Sequence, residues 1–197
     1  MRKTRHRTRT RQAVRDHAVS AAWGAAEGTV FFIVPDVWIS WVALRSPRRS
    51  LATTVSALVG ALAGGTLTHV WGARTSAVGS RELLVRVPAI SSSMVEQVEA
   101  EVARDGGPAM MAGPLRGVPY KIYARTSGLQ GRSVAGFLAW SVPARMIRFL
   151  LVAIGASALA GAGRRLLPEQ LDSVAPVAFV TSWTAFYAWF FNTVGRD

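Results

Sequence analysis

Residues 18–44, AVSAAWGAAEGTVFFIVPDVWISWVAL, are mostly apolar but are interrupted by Glu27, Pro35 and Asp36. A helix in a soluble core is rarely this long, and a simple membrane span rarely carries two carboxylates and a proline near its centre. Pro35 lacks a backbone donor and disfavours helical geometry at Val34, so we expect the segment to break there into two short helices. The stretch therefore predicts a helical hairpin inside a membrane.

The composition of the chain favours an integral membrane protein. Half of the 197 residues are hydrophobic, 17% are charged and the mean hydropathy is +0.26. The absence of cysteine excludes disulfides, thiolate metal sites and cysteine nucleophiles. The net charge of +12 is concentrated at the N-terminus and in short loops, which is the distribution described by the positive-inside rule.

Basic residues flank the first apolar stretch on both sides. Residues 1–17 have too little apolar content to fold alone, and we expect a basic cytoplasmic arm that lies on the anionic leaflet of the plasma or inner membrane. Arg45, Arg48 and Arg49 follow the stretch. If both flanks are cytoplasmic, the chain enters and leaves on one side, which favours a re-entrant hairpin. A single tilted crossing is the alternative.

The rest of the chain completes one membrane domain over residues 18–197. We predict an all-α polytopic fold, inverted-repeat-like, with hairpins at 18–44 and 118–142 and a break at Pro143. About three spanning helices are predicted at residues 51–72, 144–162 and 173–194, and an extramembrane segment at residues 73–117.

Three local patterns add detail to these segments. Small residues at 60–65 of the first span would let another helix approach closely. The acids Glu96, Glu99 and Glu101 are expected to form a solvated helix face in the extramembrane segment rather than a metal cluster. Aromatic residues crowd the end of the last span, as in an interfacial aromatic belt.

Two stretches resemble the DedA superfamily of membrane proteins, also called VTT-domain or SNARE-associated membrane proteins, and within it the YqaA-like branch. The first stretch is Ala26-Glu27 followed by FFIVPD at 31–36, and the second runs from GVPYK at 117–121 to RMIRFL at 145–150. The resemblance covers about residues 18–162 and implies two re-entrant hairpins that meet inside the membrane. For characterised relatives it implies movement of undecaprenyl phosphate or phospholipids between leaflets, in some cases linked to protons.

The charged residues of these stretches form the candidate site. A charge at the bilayer centre costs about 2.5–3.5 kcal/mol, so we expect the acids to pair with the arginines. An arginine that releases its carboxylate could bind a lipid phosphate, and protonation of the acid would reset the site. A static ion network that fastens the hairpins is the alternative. The candidate substrate- and ion-binding residues are Glu27, Asp36, Lys121, Arg145 and Arg148.

The sequence thus predicts a transporter or scramblase-like protein that moves a lipid or lipid phosphate, without a cofactor or metal. Its expected partners are anionic or phosphate-bearing membrane lipids, with protons as a coupled ion. A non-transporting membrane scaffold is the main alternative. An enzyme is disfavoured because the three histidines are scattered and no HExxH or serine-elbow motif occurs. Nucleic-acid binding by the basic arm is the weaker alternative, because the basic charge follows the positive-inside distribution, and no nucleic-acid partner is expected.

Overall fold

The computed structural model describes the backbone of residues 2–193 and the side chains of residues 10–193 except residue 115. Over these residues the protein is helical and has no strand. Two 3-10 turns, Gly107–Met111 and Gly113–Leu115, precede the sixth helix. The helices are α1 (Arg2–Glu27), α2 (Asp36–Arg45), α3 (Pro47–Arg74), α4 (Ala77–Leu84), α5 (Ser92–Asp105), α6 (Tyr120–Leu129), α7 (Val134–Leu166) and α8 (Leu171–Thr193).

Three of these helices, α3, α7 and α8, are long and apolar enough to cross a membrane. They contain the predicted spans 51–72 and 144–162 and the described part of the span 173–194, whose last residue lies outside the described residues. No described residue of α8 is fully buried, and much of the apolar surface of this helix is exposed. The fold has the features of an integral membrane protein.

The predicted basic arm and the first half of the predicted hairpin form one continuous helix, α1. The structure therefore places no boundary at residue 17, and the backbone is helical from Arg2 onward. Adding turns to an existing helix costs much less than nucleating a new one. The packed residues of α1, which begin near Asp16, thus allow the polar arm to be helical without a core of its own.

Helices α1 and α3 run parallel and lie very close together. The His17 ring and the Ser56 hydroxyl are hydrogen-bonded at 2.7 Å near one end, and Thr68 donates to the Gly28 carbonyl at 2.7 Å near the other. A side chain at Gly60 would overlap the backbone of α1. The close approach predicted from the small residues is confirmed, and it places the end of α1 beside the C-terminal half of α3.

The first apolar stretch breaks before Asp36, as its proline predicts. Residues 28–35 join α1 to α2, and the Trp38 indole then donates to the Asp16 carbonyl at 3.2 Å. The carboxylate of Asp16 lies 3.2 Å from Arg49, near the start of α3. The chain therefore folds back, and both ends of this stretch lie at one end of the helix bundle.

The second proline behaves differently from the prediction. Helix α7 continues from Val134 to Leu166 through Pro143, and the turn that precedes it lies at residues 130–133. Pro143 has no backbone N–H, so one hydrogen bond of the helix is not formed. A long packed helix tolerates this loss because the helical hydrogen bonds before and after the proline are retained. The predicted break at Pro143 is wrong: the second arm of the segment 118–142 is continuous with the following span.

Helices α4 and α5 form a cap that packs on α6 at the other end of the bundle. Its apolar core includes Leu84, Met94, Val95, Val98, Val102, Met110, Ile122 and Tyr123. Glu101 is buried and accepts two hydrogen bonds from Arg116, at 2.6 and 2.8 Å. Glu99 forms ion pairs with Arg81 and with the fully buried Arg125. The prediction of a solvated acidic face is wrong for these two acids, because basic residues of neighbouring elements reach them.

Candidate functional site

Glu27 and Arg145 form a buried ion pair at the centre of the fold. The last residue of α1 thereby contacts the middle of α7, with Oε2 and Nη2 2.5 Å apart. The rings of Tyr120 and Phe149 lie against the guanidinium, at 4.9 and 4.8 Å from their centroids. A buried charge is tolerated when a partner and cation–π contacts enclose it. This pair therefore holds α1, α6 and α7 together.

Asp36 and Arg148 form a second pair, one helical turn along α7. Both Nε and Nη2 of Arg148 lie 2.6 Å from Oδ2 of Asp36. The aspartate side chain is 2% exposed and the arginine side chain 20%. The other aspartate oxygen, Oδ1, is buried and has no hydrogen-bond partner among the described residues. This pair thus retains an unused acceptor beside a partly exposed arginine.

Lys121 brings a third cation to the same region. Its ammonium donates to the Phe31 carbonyl at 2.7 Å, which joins the first turn of α6 to the loop between α1 and α2. The side chain is buried, and no carboxylate oxygen within residues 10–193 forms an ion pair with it. All five predicted site residues therefore lie together, and their three cations exceed their two carboxylates by one charge.

A cavity of about 640 Å³ opens beside these charges. Glu27, Asp36, Lys121 and Arg148 line it, whereas Arg145 lies behind its wall. Apolar segments at residues 87–90 and 117–119 form much of the remaining surface. Helix α8 contributes the aromatic residues Trp183, Phe186, Tyr187, Trp189 and Phe190. A cavity that is charged on one side and aromatic on the other suits an amphipathic molecule with an anionic group.

Helix α8 supplies side chains of the candidate site that the sequence does not predict. The Tyr187 hydroxyl accepts a hydrogen bond from the Val34 amide at 2.9 Å, and the Trp183 indole donates to the Ser40 hydroxyl at 3.1 Å. The sequence predicts an interfacial belt for these aromatic residues, and the structure shows that Trp183 and Tyr187 also contact the first apolar stretch. Their spacing of four residues places the two polar aromatic groups on one helix face, which was the available signal.

Comparisons with models of known protein families, with curated proteins and with solved structures find no match to this chain. The resemblance to the DedA superfamily therefore stays a prediction from residues 26–36 and 117–150. Among the described side chains, no three His, Asp or Glu residues have the arrangement of a metal site.

Proposed function

We propose that this protein moves an anionic or phosphate-bearing lipid between membrane leaflets, and that the cavity beside Arg148 and Asp36 holds the lipid headgroup. In this proposal residues 18–44 form a re-entrant hairpin in the cytoplasmic membrane, with a cytoplasmic N-terminus, and α6 with α7 supplies the second half of an inverted-repeat-like architecture. The DedA-like motifs support the same function. The observation that carries the proposal is an arginine–aspartate pair with an unused carboxylate oxygen in an amphipathic cavity.

The two ion pairs take different roles in this proposal. Glu27 and Arg145 are positioning residues, because Arg145 lies behind the cavity wall and its contact with Glu27 fixes the loop before α2. Arg148 is the headgroup-binding residue, because its guanidinium offers planar paired donors of the kind that match phosphate oxygens. Lys121 adds a second positive charge on the cavity wall.

Proton coupling follows from the competition between Asp36 and phosphate for the same guanidinium. A proton on Asp36 would weaken its ion pair and free Arg148 for the headgroup, and loss of the headgroup would restore the pair. Asp36→Asn resembles the protonated form at every pH. We expect this variant to bind the headgroup and to lose the pH dependence of lipid transfer. An Asp36→Asn protein whose transfer rate keeps the wild-type pH dependence would contradict this coupling.

The proposal is tested with purified protein in liposomes that contain fluorescent phosphatidylglycerol or phosphatidylcholine. A quencher that cannot cross the membrane is added outside, and the fluorescence of inner-leaflet lipid is then lost only as that lipid moves to the outer leaflet. The rate of this loss measures lipid transfer. Arg148→Lys keeps the charge but loses the planar donors, and we expect anionic-lipid transfer to fall about tenfold or more. Arg165→Lys changes an exposed arginine near the end of the same helix and is the matched control. Transfer that Arg148→Lys leaves unchanged would contradict the role of Arg148.

Failure of the wild-type protein to move any lipid would contradict transport itself. The folded state is checked first by a cooperative melting transition in detergent, so that an inactive result refers to folded protein. A folded protein that transfers no labelled lipid of either headgroup would favour the non-transporting scaffold, in which both ion pairs only fasten the helices.

A further inference from the structure

Arginines from four helices surround the end of the bundle where α2 ends and α3 begins. Three of them, on α1, α2 and α3, line one shallow cleft. Arg164 of α7 joins them, since its Nη2 donates to the Leu44 carbonyl at 2.5 Å. We name this group the arginine collar, and it consists of Arg15, Arg45, Arg48, Arg49 and Arg164.

The collar is only partly neutralised by acidic side chains. Asp16 lies among its members, but it is buried and its carboxylate is occupied by Arg49 at 3.2 Å. Glu169 and Asp172 follow α7 at the same end of the bundle, and neither forms an ion pair within the described residues. The collar therefore presents an excess of positive charge to its surroundings.

Three collar arginines are open to an external ligand. Arg15 and Arg48 are exposed, and neither forms an ion pair with a described residue. Arg45 is exposed and lies over the Trp41 ring, 4.5 Å from its centroid, which orients the guanidinium without neutralising it. The cleft itself has a volume of only about 10 Å³, so a ligand would lie across the collar rather than inside it.

The collar lies at the rim of an exposed apolar surface. Leu51, Val55 and Val59 on α3 are exposed at intervals of four residues and begin one turn after Arg48. On α7, Leu159 is also exposed. Both helices are long and apolar enough to cross a membrane. In a bilayer these side chains would face lipid tails, and the collar would lie at the depth of the headgroups.

We propose that the arginine collar binds the headgroup of an anionic phospholipid, at a site separate from the cavity beside Arg148. Guanidinium groups pair well with phosphate oxygens, and lipid phosphates are the anions found at the rim of an apolar membrane surface. A headgroup across the collar would tie α1, α2, α3 and α7 together. The depth of the collar favours a lipid over a nucleic acid, which would approach the parts of the chain that extend into water.

The test compares two double variants that remove the same charge. R15Q/R48Q neutralises two exposed collar arginines, whereas R74Q/R86Q neutralises two exposed arginines elsewhere. Arg74 ends α3, about 40 Å from the collar at 1.5 Å per residue. Each purified protein, in a neutral detergent, is titrated with phosphatidylglycerol or phosphatidylcholine, and bound lipid is counted by native mass spectrometry.

We expect the wild-type protein and R74Q/R86Q to bind phosphatidylglycerol in preference to phosphatidylcholine. R15Q/R48Q should bind phosphatidylglycerol about 30-fold more weakly, since each arginine near an anionic headgroup contributes a factor of about five. Equal weakening in the two double variants would overturn a localised site, because it would show that only net charge matters. Phosphatidylglycerol binding that R15Q/R48Q does not weaken would also overturn it.

Two further results would overturn the assignment to a lipid. If inorganic phosphate displaces phosphatidylglycerol at equal concentration, the collar is a general anion site. If the protein binds duplex DNA more strongly than phosphatidylglycerol, and only R15Q/R48Q loses the DNA binding, the collar is a nucleic-acid site. If R15Q/R48Q does not fold, the single variants Arg48→Gln and Arg86→Gln provide the same comparison.

Discussion

Arg145 and Arg148 are three residues apart on α7, yet their surroundings differ. Arg145 is enclosed by Glu27 and two aromatic rings, whereas Arg148 reaches the cavity wall. Their spacing predicts that both lie on one helix face and meet the acids of the first stretch, which the structure shows. It does not predict which one is open, because that depends on Tyr120 from α6 and on the position of α8.

Tyr187 links α8 to the loop that precedes Asp36, and removal of its hydroxyl tests that link. Tyr187→Phe keeps the aromatic ring in the cavity wall but deletes the acceptor of the Val34 amide. We expect a loss of about 1 kcal/mol in local stability and faster hydrogen exchange at Val34. Trp189→Phe changes an aromatic residue of the same helix and should leave that exchange unchanged. Equal exchange rates in the wild-type protein and Tyr187→Phe would contradict the link.

Glu101 gives the cap a predicted dependence on pH. Burial disfavours the charged form of this carboxyl, but hydrogen bonds from Arg116, Gln97 and Tyr123 outweigh burial and lower the pKa of Glu101. A carboxyl with a lowered pKa stabilises the fold above its unfolded-state pKa, and this contribution is lost as the pH falls through the folded-state pKa.

Arg116→Met tests this contribution, because it removes two of the hydrogen bonds to Glu101. We expect the melting temperature at neutral pH to fall by the equivalent of about 1–2 kcal/mol, a modest loss because Arg116 is partly exposed. We also expect the loss of stability on acidification to begin at a higher pH than in the wild-type protein. Arg104→Met removes an exposed pair with Asp105 and should change neither property. Identical acid unfolding of Arg116→Met and the wild-type protein would contradict the assigned role.

At the scale of the helices, the apolar periodicity and small residues predict the elements better than the prolines do. The run of small residues at 60–65 predicts close packing because only small side chains allow two backbones to approach. Pro35 lies at a helix boundary, directly before α2, whereas Pro143 lies inside α7, although both follow apolar residues. The difference is tertiary: α7 packs against α3, α5 and α6 before Pro143 and against α2 and α3 after it, and a single sequence does not record those contacts.

The close contact of α1 with α3 makes Gly60 intolerant of a side chain. A Cβ at this position would meet the backbone of Ala21, which cannot move without separating the helices. We expect Gly60→Val to destabilise the protein by roughly 3 kcal/mol or more, as overpacking against backbone does. Gly155→Val is the control, because nothing lies within 4 Å of the corresponding position on α7. Equal melting temperatures of the two variants in detergent would contradict this packing.

At the scale of the whole molecule, the cavity joins segments that are far apart in the chain. Residues 27–36, 116–121, 148 and 182–190 all reach its wall. The sequence predicts that the two charged stretches meet, because buried acids and arginines require partners. It does not predict that α8 closes the cavity or that Arg116, which follows the second 3-10 turn, lines it. These contacts depend on which face each helix turns toward the cavity. The sequence of α8 is apolar on all faces, so it does not indicate which face is buried.

The path of residues 18–44 through the membrane is tested most directly by cysteine labelling, because the natural chain contains no cysteine. Single cysteines replace the exposed Val14 before the stretch, Pro47 after it and Val78 in the cap. A membrane-impermeant thiol reagent is then applied to sealed vesicles of known orientation. We predict that Val14→Cys and Pro47→Cys are labelled from the same side and Val78→Cys from the other. Labelling of Val14→Cys and Pro47→Cys from opposite sides would contradict the re-entrant hairpin and the headgroup site built on it.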